Sequence, residues 1–200
     1  MDHVANYPIV RKLGEGATSE VFLCQDTFRN REVAVKRIFP EALRDPVRGR
    51  LFRKLFFTEA PLAGKRAPPH LAQIFHAGIG EDSGYIVMEY VPGGTMERFC
   101  APENLLAVKE VVDIVFKCKR ALTYAHMQGV TNRDIKPGNI LFAKDPGDVR
   151  ISDFGLALNV GAETTQNTGV GSPAYMWPEQ IRGELVDHRA ELYSLGVVVY

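Results

Sequence analysis

The sequence is short of cysteine, of net charge and of long apolar runs, and each shortage removes a class of explanation. Its three cysteines, Cys24, Cys100 and Cys118, are scattered among 200 residues without the spacing of a metal site or a disulfide framework. That usage fits reduced thiols and a cytoplasmic location. Lysine and arginine together number 24, as do aspartate and glutamate, so the formal net charge is zero and no bulk electrostatic reason to bind nucleic acid exists. No stretch approaches the roughly 18 apolar residues of a membrane-spanning segment. The start, MDHVANYPIV, has neither a basic region nor an apolar core, which argues against a secretory signal. The five histidines form no HExxH-like cluster and are expected in packing or at the surface. There is no internal repeat. What remains is an ordinary globular composition, 46% hydrophobic and 24% charged, able to build one sizeable core or two small ones.

The chemistry is concentrated in one stretch, Gly129 to Gly155, which reads GVTNRDIKPGNILFAKDPGDVRISDFG. Asp134 can receive the proton of an attacking hydroxyl, and Lys136, two residues on, can neutralise a γ-phosphate. Asn139 and Asp153 offer the hard oxygens that Mg²⁺ prefers. Between the last two, Ile140 to Phe142 and Val149 to Ser152 are alternating runs joined by the turn chemistry of Lys144 to Asp148, which predicts a hairpin. Its closure brings Asn139 close to Asp153. The pattern RDxKPxN followed at hairpin distance by DFG resembles the catalytic and metal-binding loops of eukaryotic-type protein kinases. The Lys136-Pro137 pair resembles the Ser/Thr branch, in a bacterial-looking form, and the resemblance covers nearly the whole chain.

It implies an α+β, two-lobed kinase-like fold: a five-stranded antiparallel small lobe with one main helix over residues 1–91, and an incomplete, mainly helical large lobe over residues 92–200. The strands are expected over Ile9–Leu13, Val21–Leu23, Glu32–Ile38, His70–Ile79 and Tyr85–Val91. Gly14 and Gly16 sit at the tip of the first hairpin, where missing side chains let backbone approach the phosphates of ATP, and Val21 can cover the adenine. Ser19 replaces the third glycine of the family pattern. Ala34 and Lys36 share a strand face by period-two alternation. The resemblance gives Lys36 the α- and β-phosphates and a partner, Glu59, on a helix read from Pro40 to Lys65, which Pro61 should bend. It further places Met88 at the back of the adenine pocket, Glu89 and Val91 as backbone partners of adenine, and Leu141 among the nucleotide contacts.

A helix from Leu105 to Met127, with Leu105, Val108, Val111, Val115, Cys118, Leu122 and Ala125 on one face, is expected to deliver the chain into the catalytic loop. After Gly155 a polar segment carrying Thr164, Thr165 and Thr168 suits a loop ordered by phosphorylation, with Arg133 as counter-charge. It ends in GSPAYMWPE, which resembles the segment on which protein substrates dock. Four departures stand out beside Ser19. Ser172 replaces threonine, and Trp177 stands where a small residue is usual and could disturb the docking floor. Glu191 replaces the aspartate that anchors the catalytic loop. Asn132 replaces the histidine that packs under Phe154, which is expected to loosen the loop.

The expected function is transfer of the ATP γ-phosphoryl group, with Mg²⁺, to a protein Ser or Thr hydroxyl. A non-catalytic kinase-like binding module, or an inactive fragment, is the alternative. A small-molecule phosphotransferase has no reason for GSPAYMWPE. Glu179 is expected to be unpaired or solvated, and the chain to be a poor folder, since the helix beginning near Asp187 stops at Tyr200 with apolar faces open.

Overall fold

Alternation along Arg31–Ile38 sends apolar side chains into a core cluster on each side of the strand. The computed structural model describes residues 2–44, 70–80, 83–127, 130–132, 134–143, 148–152, 158–159, 173–182 and 189–200. The chain divides into two compact units. Among the described residues the first carries six strands, β1 (His3–Val4), β2 (Tyr7–Glu15), β3 (Ser19–Asp26), β4 (Arg31–Ile38), β5 (Ile74–Ile79) and β6 (Gly84–Glu89), and a helix α1 (Pro40–Arg44). The sheet is antiparallel throughout, in the order β1-β2-β3-β4-β6-β5.

Because side chains alternate along β4, Ala34 and Ile38 join Leu43, Ile74, Ile86 and Met88 in one cluster. Val33 and Val35 face the other way, into a cluster with Val4, Phe22, Cys24 and Val87. Five strands match those expected from the sequence, with β5 beginning at Ile74 and not at His70. The sixth, β1, is an addition: Val4 pairs with Tyr7 across a turn in which Ala5 takes φ 51°, and the burial of Val4 holds it there.

The second unit holds 70–72 and the described chain from Val91 onward. Its helices are α2 (Val108–Met127), α3 (Pro178–Arg182) and α4 (Arg189–Val199). Short strands accompany them: β7 (Gly94–Thr95), β8 (Val130–Thr131), β9 (Ile140–Phe142), β10 (Val149–Ile151) and β11 (Leu158–Asn159). Strands β10, β9 and β7 form one small sheet, and β11 pairs with β8. Gly93 lies so close to β9 that a Cβ there would stand 1.9 Å from the Ala143 carbonyl oxygen. Helix α2 starts three residues later than expected, where the Glu110 carboxylate accepts the Ala107 backbone N–H at 2.9 Å, half of a capping box.

Of the expected face of α2, Cys118, Leu122 and Ala125 are buried and Val111 and Val115 half-buried, with Ile114 and Ala121 buried beside them; at the start, Leu105 and Val108 are exposed. Leu192, Tyr193, Val199 and Tyr200 are exposed too. No helix among the described residues is long and apolar enough to cross a membrane. Glu59, Pro61, Arg133, Asp153, Phe154, Thr164, Thr165, Thr168 and Ser172 lie outside the described residues.

Candidate active site

In the first unit the residues expected to hold a nucleotide sit on neighbouring strands. Gly14 pairs with Val21 across β2 and β3, and the Gly16 N–H donates to the Ser19 carbonyl at 2.8 Å. A Cβ on Gly14 would meet nothing within 4 Å, and one on Gly16 only the Ser19 oxygen at 3.8 Å. The described packing therefore leaves room for a side chain at either position. Lys36 stands opposite Val21 on β3 and Ile86 on β6. It occupies the β4 face that carries Ala34 and Ile38, against which Val21 and Met88 also pack. Lysine is thus set at the edge of an apolar surface. Glu89 donates its backbone N–H to the Gln73 carbonyl at 2.8 Å, and its carboxylate accepts the Gln73 N–H at 3.2 Å.

In the second unit the stretch from Thr131 to Ser152 is drawn together by its own short polar side chains. Asn132 Oδ1 accepts the Asp134 N–H at 3.0 Å, the local bond at which asparagine excels. Asn139 Nδ2 donates to both the Asp134 carbonyl at 2.8 Å and Asp134 Oδ2 at 3.0 Å. Lys136 Nζ lies 2.7 Å from that same Oδ2. One carboxylate oxygen of Asp134 is therefore clamped from two sides, and Oδ1 has no partner among the described residues. The hairpin forms with Ile140 opposite Ile151. The Ser152 N–H and hydroxyl both donate to the Asn139 carbonyl, at 2.8 and 3.1 Å, so the residue before Asp153 is bonded to Asn139. Leu141 lies on β9 between Arg150 and Thr95, and Val91 is buried.

Helix α4 anchors this loop from below. Glu191 is 0% exposed; its carboxylate accepts the backbone N–H of Asn132 and pairs with Nε2 of His126 on α2. One turn on, the Ser194 hydroxyl donates to the Tyr175 carbonyl at 2.7 Å and accepts the indole N–H of Trp177 at 2.5 Å. Trp177, 1% exposed, is packed and bonded in the core and does not intrude on a surface. Glu179 is exposed. Sequence reasoning left His126 among the packing histidines and did not single out Ser194. The available signal for His126 was its place beside Leu122 and Ala125 on the buried stripe of α2. The thiols play no part: burial pushes Cys24 up to about 11 and Cys118 up to about 12, far from nucleophilic use.

Residues 7–200 match the protein kinase domain family. Among curated proteins, the chain is 36% identical over 196 residues to a probable serine/threonine-protein kinase of Clostridium acetobutylicum, covering 97% of this chain and 29% of that protein. It is 35% identical over 196 residues to the serine/threonine-protein kinase PrkC of Bacillus subtilis, covering 97% and 30%. It is 36% identical over 202 residues to PknB of Mycolicibacterium smegmatis, covering 97% and 32%. The chain thus spans about a third or less of the length of the curated relatives it matches.

Proposed function

The chain belongs to the protein kinase domain family, and on that premise we propose that it is an ATP-dependent serine/threonine protein kinase. The observation that carries this reading is the clamp on Asp134. With Oδ2 held by Lys136 and Asn139, Oδ1 is the base. As the substrate hydroxyl oxygen bonds to the γ-phosphorus and the bond to ADP breaks, the hydroxyl proton passes to Asp134. Lys136 neutralises charge on the phosphoryl group in transit. The donor set fits Mg²⁺: with the Asn139 amide nitrogen spent on Asp134, its Oδ1 and the Asp153 carboxylate are the hard oxygens that would hold the ion. Bound there, Mg²⁺ would supply charge neutralisation at the phosphates.

We assign nucleotide binding to residues 1–91 and catalysis to residues 92–200. Gly14 and Gly16 offer backbone to the phosphates, and Lys36, with Glu59, holds the α- and β-phosphates. Val21, Ala34, Met88 and Leu141 contact adenine. Since the Glu89 N–H is already given to Gln73, its contribution to adenine is its carbonyl, with the Val91 backbone beside it. Asn132 and Glu191, from which a non-catalytic reading drew, are both bonded into the loop, which supports the catalytic reading. The free thiols fit a cytoplasmic location.

The test is transfer from γ-labelled ATP to a generic basic protein with Mg²⁺ present. Lys36→Met and Asp153→Asn should abolish it, whereas Asp134→Asn should bind nucleotide and lose turnover. An Asp134→Asn variant as fast as the parent overturns the assignment of the base.

A further inference from the structure

The strand that leads into the glycine-bearing tip is irregular in the middle. Pairing of β2 with β3 steps from Ile9–Cys24 to Arg11–Leu23, and from Lys12–Phe22 to Gly14–Val21. Val10 and Leu13 are thus extra residues on β2, each the mark of a β-bulge, which re-aims the side chains after it. The first bulge changes the face that Arg11 takes. Ile9 packs with Phe22 and Cys24 on one side of the sheet, and plain alternation would send Arg11 to that side as well. With Val10 inserted, Arg11 stands instead in a cross-strand row with Leu23, Ala34 and Met88. Ala34 and Met88 belong to the cluster on the opposite side, where adenine is placed above. The bulge leaves Val10 57% exposed.

From that row Arg11 reaches across the sheet. Its guanidinium donates to the Tyr90 hydroxyl at 3.1 Å, a bond between residues 79 apart in sequence. Tyr90 follows Glu89, the last residue of β6, and its half-buried ring packs on the cluster that holds Ala34 and Met88. Strands β3 and β4 lie between β2 and β6, so the two backbones are three strand spacings apart, roughly 14 Å in a flat sheet. Two long side chains meeting tip to tip close that gap. Arg11 has no carboxylate partner among the described residues, whereas Lys12, on the other face, is paired with Glu15 and Glu20.

A nucleotide seated against Ala34 and Met88 has β2 on one side and the chain leaving β6 on the other. It departs as these separate, and the Arg11–Tyr90 bond opposes the separation. Opening of such a site and release of product limit turnover in many enzymes. We propose that Arg11 and Tyr90 form a latch that sets how long a nucleotide, ADP above all, stays bound. This rests on the kinase reading above.

The test follows release of a fluorescent ADP, N-methylanthraniloyl-ADP, with Mg²⁺ present, chased by excess ATP in a stopped-flow instrument. Arg11→Ala and Tyr90→Phe should each release it about two- to fivefold faster, the scale of one exposed hydrogen bond. The double variant should be no faster than the quicker single one, because both changes remove the same bond. Arg11→Lys, which can still donate, should restore part of the difference. Arg11 is exposed and Tyr90→Phe keeps the ring, so melts without nucleotide should stay within about 2 °C of the parent. Equal release from parent and variants, effects that add in the double variant, or a lowered melt with unchanged release overturns the latch alone. Release altered as stated in a protein that transfers phosphate from ATP to no protein overturns the kinase reading alone, and a parent that binds no nucleotide overturns both.

Discussion

Removing the Glu191 carboxylate should cost more than any other single change away from the reacting groups. Glu191→Ala takes the acceptor from a buried backbone N–H, that of Asn132, at about 1–3 kcal/mol. It deletes a methylene and leaves a hole where the carboxyl was, adding about 1 kcal/mol. The hydrogen bond to His126 is lost as well, but the His126 side chain is 20% exposed and can recover water, so this adds about 0.5–1 kcal/mol. The sum is about 3 kcal/mol. At about 2–4 °C per kcal/mol for a chain of this size, the melting temperature should fall by about 6–12 °C. Glu191→Gln keeps the shape and the oxygen facing Asn132, so it should lose only about 1 kcal/mol. Asn132 holds the Asp134 N–H, so the Ala variant should also lose about ten- to a hundredfold in kcat from misplacement of the base. Far-UV circular dichroism melts and transfer from γ-labelled ATP read the two effects. An Ala variant melting within about 2 °C of the parent would refute the anchoring role.

Asn132→His restores the family pattern, yet it removes the amide that holds Asp134 and puts a larger ring where no surface is exposed. It should destabilise by about 1–3 kcal/mol, the reverse of the expectation from sequence; a higher denaturant midpoint would show that packing against Phe154 prevails. Trp177→Phe removes the indole N–H from Ser194 and part of the buried ring, so the melting temperature should drop by about 4–8 °C, and an unchanged melt would contradict the packing described. Asp26 is buried, which pushes its carboxyl up, but the Arg29 N–H and the Arg31 guanidinium outweigh burial and hold it below the usual range. Its stabilising contribution is thus present above the unfolded-state value of about 3.9 and lost as pH falls through the lower folded value. Asp26→Asn should therefore be less stable than the parent at pH 7, with the gap closing below about pH 4; a gap independent of pH in denaturant titrations would refute the assignment.

The parts legible in the sequence are those set by neighbours along the chain. VAVKRI alternates, and β4 follows with Lys36 between Ala34 and Ile38 on one face. The turn chemistry of 144–148 stands between two alternating runs, and β9 pairs with β10 as the hairpin those runs predict. Strand β1 was not legible because its turn places Ala5, not glycine, at positive φ, and the burial of Val4 that stabilises it is a tertiary effect. The apolar stripe of α2 was legible from Val111 to Ala125, and it failed at its start, where Leu105 precedes the helix and Val108 is exposed, because helical spacing does not show where a helix begins. The bonds of His126 and Ser194 were hidden for a third reason. Glu191 is 65 residues from His126, and the Tyr175 carbonyl is 19 residues from Ser194, separations at which no local signal operates.

Three of the departures from the family pattern are joined through one helix. Glu191 and Ser194 are one turn apart on α4, hence on the same face. The first holds the backbone of Asn132, and the second holds the backbone of Tyr175 together with the Trp177 indole. A glutamate has one methylene more than the usual aspartate, and its two oxygens are divided between His126 and the Asn132 N–H. Asn132 in turn uses its side chain on Asp134, which a histidine ring in the same place could not do with the same short reach. Trp177 fills its site and is bonded to the Ser194 hydroxyl that secures Tyr175. Asn132, Trp177 and Glu191 therefore need not be read as independent losses from a working pattern. They are joined through α4, whose spacing of one helical turn sets the catalytic loop and the Pro173–Tyr175 turn in register with each other. A substitution toward the family residue at any one of them meets partners fitted to the residue now present.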